Sequence, residues 1–152
     1  MQIKKEGAKM NREEIEKNSF DYFQSGFNCA ESVSMVITEA FAAYPARDIP
    51  KVATAFGGGM GRSKAETCGT LTGGIIALGY LYGRMSPSED PSEVHKLAAE
   101  FRKRFIEKNG SSTCHIILEK FGEQENLIKC KKMTSEVAGI LHDLLTKKMV
   151  SN

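Results

Sequence analysis

The sequence predicts an all-α protein, built as a compact bundle of several helices in a single domain. Apolar residues recur at helical spacing, most clearly near the C-terminus, at Val137, Ile140, Leu141, Leu144 and Leu145. No segment of convincing length alternates apolar and polar residues as a half-buried strand would. The chain has 152 residues, which fits one domain that buries a core without the help of disulfides.

The N-terminal part of the chain divides into a tail and a first helix. Residues 1–10 are expected to form a disordered tail, ahead of a single helical four-cysteine domain over residues 11–150. Residues 11–24 have the pattern of an amphipathic helix. Gly26 follows this helix and would end it, because glycine readily takes the left-handed conformation of a C-terminal cap.

Two further helices are expected before the middle of the chain. Asn28 is followed three residues later by glutamate, a spacing close to a capping box, so a helix is expected to begin at Cys29. Its apolar pattern continues to about Tyr44. Asp48 can begin a short helix that reaches Phe56, with a proline in the first turn, where proline is tolerated.

A glycine-rich loop, GGGMGR, occupies residues 57–62 and is expected to be flexible and irregular. It leads into an apolar, glycine-rich helix from about Thr67 to Gly83, which is expected to be buried. Gly69, Gly73 and Ala77 recur along one side of that helix. Such a bare strip allows another helix backbone, or less commonly a flat ligand, to approach closely.

Three helices are expected in the C-terminal half. A connection over residues 86–91 precedes a long helix, whose apolar face begins at Val94 and which ends at the cap Asn109-Gly110. A short helix holding Cys114 follows a Ser/Thr run that can cap it. The last helix carries the apolar pattern that begins at Val137.

The four cysteines are the residues with the clearest chemical potential. Cys29, Cys68 and Cys114 fall at or near predicted helix N-termini, where free N–H groups and the helix dipole favour a thiolate. Cys130 lies between lysines, which would have the same effect. We therefore expect lowered thiol pKa values, as reactive or metal-binding cysteines need. The alternative for each cysteine is inert packing as a small apolar residue.

Composition and charge exclude several classes of function. The net charge of +2 gives no support for binding nucleic acid or a membrane surface. The N-terminus lacks the apolar core of a signal peptide, and the densest apolar run, residues 75–82, is too short to span a bilayer. We therefore expect a cytoplasmic protein without membrane insertion. Stable disulfides are rare in the cytosol, so free thiols are expected.

Several motifs taken together resemble the family named C-GCAxxG-C-C after its cysteine pattern. They are GFNCAESV (Gly26–Val33), AFGGGMGR (Ala55–Arg62), CGTLTGG (Cys68–Gly74) and the single cysteines Cys114 and Cys130. The family is described as redox-active because of its four cysteines, and related domains accompany redox enzymes and transporters. The resemblance implies that the four cysteines act as one constellation, without naming a substrate. Where the family typically has alanine after Cys-Gly, this chain has Thr70.

Three functions remain open from the sequence. The first is thiol–disulfide or electron transfer, with Cys29 and Cys68 as the preferred pair and Cys114 and Cys130 as the resolving pair. The second is a zinc or iron–sulfur site made by the same four cysteines, although no Cys-x-x-Cys pair is present.

His115 is a further candidate metal ligand because it follows Cys114, although a histidine in that position is more often incidental.

The third function is a non-catalytic interaction module in which the cysteines only pack. The sequence leaves open whether the protein is an enzyme. A redox partner protein is expected, and the apolar helix faces also allow a homodimer.

Overall fold

The fold is all-α, as the sequence predicts. The computed structural model describes residues 3–151, and within that range it contains seven α-helices and no β-strand. The helices are α1 (Arg12–Ser25), α2 (Cys29–Phe41), α3 (Ile49–Ala53), α4 (Gly69–Tyr82), α5 (Ser92–Asn109), α6 (Cys114–Phe121) and α7 (Ile128–Val150). A 3₁₀ turn, Thr54–Phe56, follows α3. In residues 3–151 no helix is long and apolar enough to cross a membrane.

The helix ends follow the capping signals in the sequence. Complete capping boxes begin α1, at Asn11, and α2, at Asn28. The first helices therefore begin where the sequence predicts. The third segment differs, because residues 49–56 form a five-residue α-helix that tightens into the 3₁₀ turn instead of one continuous helix.

The two central helices, α2 and α4, pack closely against each other. A Cβ placed on Gly73 would lie 2.4 Å from the carbonyl oxygen of Ala30, so only glycine permits this approach. The strip of small residues thus serves helix–helix packing at this position. Fully buried side chains fill the space around the pair, among them Phe41, Leu78 and Phe101. Each contributes about 1.5–3 kcal/mol relative to an exposed position.

Residues 3–10, which belong to the predicted tail, lie against the C-terminal end of α2. The backbone N–H of Lys4 donates to the carbonyl of Phe41 at 2.9 Å, and that of Lys9 donates to Ala40 at 2.9 Å. The last carbonyls of a helix have no partner within it, so a passing backbone segment can satisfy them. Residues 1 and 2 of the predicted tail lie outside the described residues.

Candidate functional site

All four cysteines line a single cavity of about 720 Å³. Cys29 is the first residue of α2, Cys68 is the N-terminal cap of α4, Cys114 is the first residue of α6, and Cys130 lies in the first turn of α7. Four helix N-termini therefore converge on one space. The sequence predicts a position at a helix start for Cys29, Cys68 and Cys114. For Cys130 it indicates only that lysines are adjacent in the chain.

Cys29 is held by the capping box that begins α2. The side chain of Asn28 accepts from the backbone N–H of Glu31 at 3.0 Å and donates to the carbonyl of Thr54 at 2.9 Å. The carboxylate of Glu31 accepts from the backbone N–H of Asn28 at 2.7 Å and from the hydroxyl of Thr54 at 2.6 Å. This network joins the start of α2 to the 3₁₀ turn that precedes the glycine-rich loop. Glu31 therefore has a capping role.

Two glycines make room for the cysteines. A Cβ placed on Gly69 would lie 2.4 Å from Sγ of Cys29. A Cβ placed on Gly59 would lie 2.7 Å from Cβ of Cys114. Real Cβ atoms do not approach other atoms this closely. Any residue larger than glycine at position 59 or 69 would therefore overlap a cysteine. Gly69, the residue after Cys68, thus leaves space for the sulfur of Cys29.

The glycine-rich loop is a left-handed turn with internal hydrogen bonds, and this differs from the irregular loop that the sequence predicts. Five consecutive residues, 58–62, have φ between +59° and +71°. Two of them, Met60 and Arg62, are not glycine, and the left-handed region costs such residues roughly 1–2 kcal/mol each. The N–H of Lys64 donates to the carbonyl of Gly58 at 2.8 Å and helps to close the turn.

An isolated antiparallel bridge between Thr67 and Thr113 joins the two segments that lead into Cys68 and Cys114. The backbone N–H of Cys68 donates to the carbonyl of Ser112 at 2.8 Å, and that of Cys114 donates to Glu66 at 2.9 Å. An isolated bridge leaves no alternating pattern in a sequence, so sequence reasoning did not find it. It brings the starts of α4 and α6 together.

Gln124 holds Cys130, a role that no pattern in the sequence indicates. Its side-chain amide donates to Sγ of Cys130 at 3.2 Å. The oxygen of the same amide accepts from the backbone N–H groups of Lys129 at 2.9 Å and Cys130 at 3.1 Å. A single side chain therefore caps α7 and positions the sulfur at its start.

Thr70 is a second residue that sequence reasoning did not assign to the site. It is fully buried, and its hydroxyl lies 2.7 Å from the hydroxyl of Thr134 on α7. Burial raises the pKa of Cys29 and of Cys68, and hydrogen bonding by the Thr70 side chain acts in the opposite direction and favours the thiolate. Thr70 therefore lines the same cavity as the four cysteines.

The pKa values of all four thiols are raised, so the expectation of lowered values is wrong. Burial raises the pKa of Cys68 to about 12, and the neighbouring charges of Cys29 and Cys114 add to the effect. Burial is also the main cause of the raised pKa of Cys29, Cys114 and Cys130. Loss of hydration outweighs the helix N-termini, because it disfavours every charged form in the cavity.

The charged residues that line the cavity are all cationic, and within residues 3–151 its lining includes no carboxylate. They are Arg62, Lys64 and Lys131. Lys131 is only 8% exposed, and its ammonium donates to the side-chain oxygen of Gln24 at 3.0 Å. The same ammonium lies 5.8 Å from the ring centre of Phe23. The cavity thus combines four thiols with positive charge.

His115 lies beside the site but not in the lining of the cavity. It is exposed, and Nδ1 lies 3.3 Å from the carbonyl oxygen of Lys64. Among residues 3–151, no three histidine, cysteine or acidic side chains are arranged to hold one metal ion.

Comparison with known proteins identifies one family. The family model described as "Putative redox-active protein (C_GCAxxG_C_C)" matches residues 27–144, a range that includes all four cysteines. Neither a curated protein nor a solved structure matches the chain.

Proposed function

The chain belongs to this C_GCAxxG_C_C family, and from that premise we propose that it is a redox protein whose four cysteines act as one group. The observation that carries the proposal is that four cysteines from four helices line one cavity. Cysteines that served only as small apolar residues would have no reason to share one space. The proposed reaction class is thiol–disulfide exchange with a disulfide substrate.

The exchange consumes one substrate disulfide and two protein thiols. The thiolate of one cysteine attacks a substrate sulfur, the substrate S–S bond breaks, and the first substrate thiolate leaves with the proton that the cysteine gave up. A second cysteine, as thiolate, attacks the protein sulfur of the mixed disulfide. A protein disulfide forms, and the second substrate thiol leaves with the second proton. Two electrons pass from the protein to the substrate, and a reducing partner protein would return them.

Cys29 is the best candidate for the attacking thiol. Burial raises its pKa, but the backbone N–H groups of Gly58, Ala30 and Cys29 itself, together with the hydroxyl of Thr70, stabilise its charged form. Among the four cysteines only Cys29 and Cys130 are partly accessible, whereas Cys68 and Cys114 are buried. Cys29 therefore combines access with the largest set of hydrogen-bond donors. Cys68, which lines the same cavity and whose pKa is raised first by burial and then by the charge of Cys29, is the candidate resolving thiol.

The second candidate function is electron transfer through an iron–sulfur cluster held by the same cysteines. The uniformly raised thiol pKa values favour it, because bound iron would replace the lost hydration and remove the repulsion among the thiolates. The cationic lining would balance the negative charge of four thiolates. Four cysteines are the usual ligand set of such clusters, which supply one-electron transfer when bound.

One experiment separates the two candidates. The protein would be purified without oxygen and assayed for iron, zinc and acid-labile sulfide, with an absorption spectrum of the same sample. Metal-free protein would then be equilibrated with mixtures of reduced and oxidised glutathione, and its disulfides counted by alkylation and mass spectrometry. Thiol–disulfide function predicts reversible formation of a disulfide between two of the cavity cysteines.

Serine variants of the four cysteines assign the roles. Cys29→Ser is expected to abolish formation of the mixed disulfide, whereas Cys68→Ser is expected to trap it. Stoichiometric iron and sulfide that are lost in the serine variants would establish the cluster instead. Metal-free protein whose thiols never form disulfides would refute both candidates and leave packing as the role of the cysteines.

A further inference from the structure

We propose that the cavity binds a small organic anion and that the disulfide substrate of this protein therefore carries carboxylate groups. The inference rests on the proposed thiol–disulfide function, and it names the class of substrate for the same site. Three features of the cavity carry it: the sign of its charges, the burial of one lysine, and its size.

The charges of the cavity have one sign. Arg62 and Lys64 extend from the left-handed turn and Lys131 extends from α7. All three line the cavity, and among the described residues of its lining there is no carboxylate. Of the three, Arg62 and Lys64 are exposed, so they can meet a ligand at the mouth. Clefts lined by one sign of charge concentrate ligands of the opposite sign.

Lys131 is the buried cation of the cavity. Lysine is almost never fully buried unless it is paired, yet Lys131 is 8% exposed. Its described polar contact is a neutral one, with the side-chain amide of Gln24, and an aromatic ring lies near it. A carboxylate of a bound ligand would supply the negative partner that residues 3–151 do not place there.

The size and the apolar part of the lining favour an organic ligand over an inorganic ion. A volume of about 720 Å³ lies within the range of small-molecule sites, roughly 300–1,000 Å³. Phe23, Leu118 and Met133 supply apolar surface in the same cavity. A molecule with an apolar middle and anionic ends fits this lining. A carboxylate-bearing disulfide would reach the cations with its ends and the thiols with its sulfurs.

The test compares three symmetric disulfides that differ in charge: dithiodipropionate is anionic, hydroxyethyl disulfide is neutral and cystamine is cationic. The rate of disulfide formation in the reduced protein is measured for each, at low and at high salt. Octanedioate, which has the shape of dithiodipropionate but cannot react, measures binding alone by calorimetry. We expect the anionic disulfide to react at least about tenfold faster than the neutral one at low salt, and the advantage to shrink as salt screens the charges.

Variants at adjacent positions of α7 provide the control. Lys131→Met is expected to weaken octanedioate binding about tenfold, the effect of one buried charge-assisted hydrogen bond, and Lys131→Arg is expected to retain binding. Lys132→Met removes a charge of the same sign at the next residue, but Lys132 is exposed and does not line the cavity. This control is expected to bind octanedioate as the unchanged protein does. A thermal melt of each variant verifies that it is folded.

The outcomes separate the inference from the proposed function. Octanedioate binding without reaction of any disulfide would support the anion site and refute thiol–disulfide exchange. Cysteine-dependent reaction at equal rates for all three disulfides, with no octanedioate binding, would support exchange and overturn the anion site. Iron and sulfide filling the cavity of the purified protein would also overturn it, because a cluster leaves no room for an organic anion.

Discussion

Sγ of Cys29 lies directly over the backbone of Gly69, where a Cβ would come within 2.4 Å of it. The two residues belong to different helices, and their contact joins the starts of α2 and α4. The position of the sulfur therefore depends on a residue that has no side chain.

Gly69→Ala is expected to destabilise the protein by about 1–3 kcal/mol, because the methyl group would overlap Sγ of Cys29 and the backbone carbonyl of Phe56. The measurement is urea unfolding. Gly79→Ala provides the control in the same helix, since its Cβ would meet nothing within 4 Å. That control is expected to gain up to about 1 kcal/mol from helix propensity. Equal stability of the two variants would contradict the close contact.

The stability of the reduced protein is expected to fall as pH rises above 9. The unfolded chain releases the Cys68 proton near the ordinary pKa of 9.0, whereas the folded protein holds it up to about 12. The folded state thus binds more protons in that range, and the contribution of Cys68 to stability is present below pH 9 and lost between 9 and 12. Each retained proton changes the free energy of unfolding by about 1.4 kcal/mol per pH unit.

Cys68→Ala isolates this contribution. Tyr22 and Tyr82 also have pKa values raised to about 12, so they too make stability fall as the pH rises. This contribution is the same in the unchanged protein and in the variant. The variant is expected to lose stability less steeply between pH 9 and 11 in anaerobic urea titrations. Identical slopes would mean that Cys68 is not held protonated by the fold.

The hydroxyl of Thr70 is expected to control the reactivity of Cys29. Thr70→Val removes a hydrogen bond that stabilises the Cys29 thiolate, so the pKa of Cys29 should rise and its alkylation should slow at a fixed pH. Thr70→Ser keeps the hydroxyl and should react like the unchanged protein. Alkylation of each cysteine is followed by mass spectrometry. Slowing in both variants would indicate a packing effect instead.

The buried pair of Thr70 and Thr134 is expected to be strongly coupled, because their hydroxyls bond to each other at 2.7 Å. Thr70→Val leaves the Thr134 hydroxyl without this partner, at a cost of about 1–3 kcal/mol. The double variant with Thr134→Val should lose less stability than the sum of the two single variants, as a double-mutant cycle of unfolding would measure. Strict additivity would contradict the hydrogen bond.

Gln124 is expected to stabilise the start of α7 through its side-chain oxygen and to affect the Cys130 thiol through its side-chain nitrogen. Gln124→Glu keeps an acceptor for the backbone N–H groups of α7, so stability should stay near that of the unchanged protein. The carboxylate would repel a thiolate, so alkylation of Cys130 should slow. Gln124→Ala should instead cost about 1 kcal/mol through loss of the cap. A Cys130 that reacts equally in all three proteins would show that the amide does not act on the sulfur.

Local patterns were sufficient to predict most of the helices. The capping boxes at Asn11 and Asn28 act within four residues, and helical periodicity needs only neighbouring turns. The left-handed conformation of residues 58–62 could not be predicted, because glycine permits it without requiring it, and Met60 and Arg62 disfavour it. In the folded protein Gly57 packs against Asn28 and Gly59 against Cys114, contacts that no local pattern in the sequence reveals.

The sequence by itself determined an all-α fold and placed three cysteines at helix starts, since these features depend on residues close together in the chain. Only the tertiary structure decided that four helix starts meet at one cavity, that Gln124 contacts the sulfur of Cys130, that Thr70 lines the cavity, and that the thiol pKa values rise. Charge at a helix N-terminus is a local property. The loss of hydration and the repulsion among thiolates depend on what surrounds each sulfur, and residues far apart in the chain supply those surroundings.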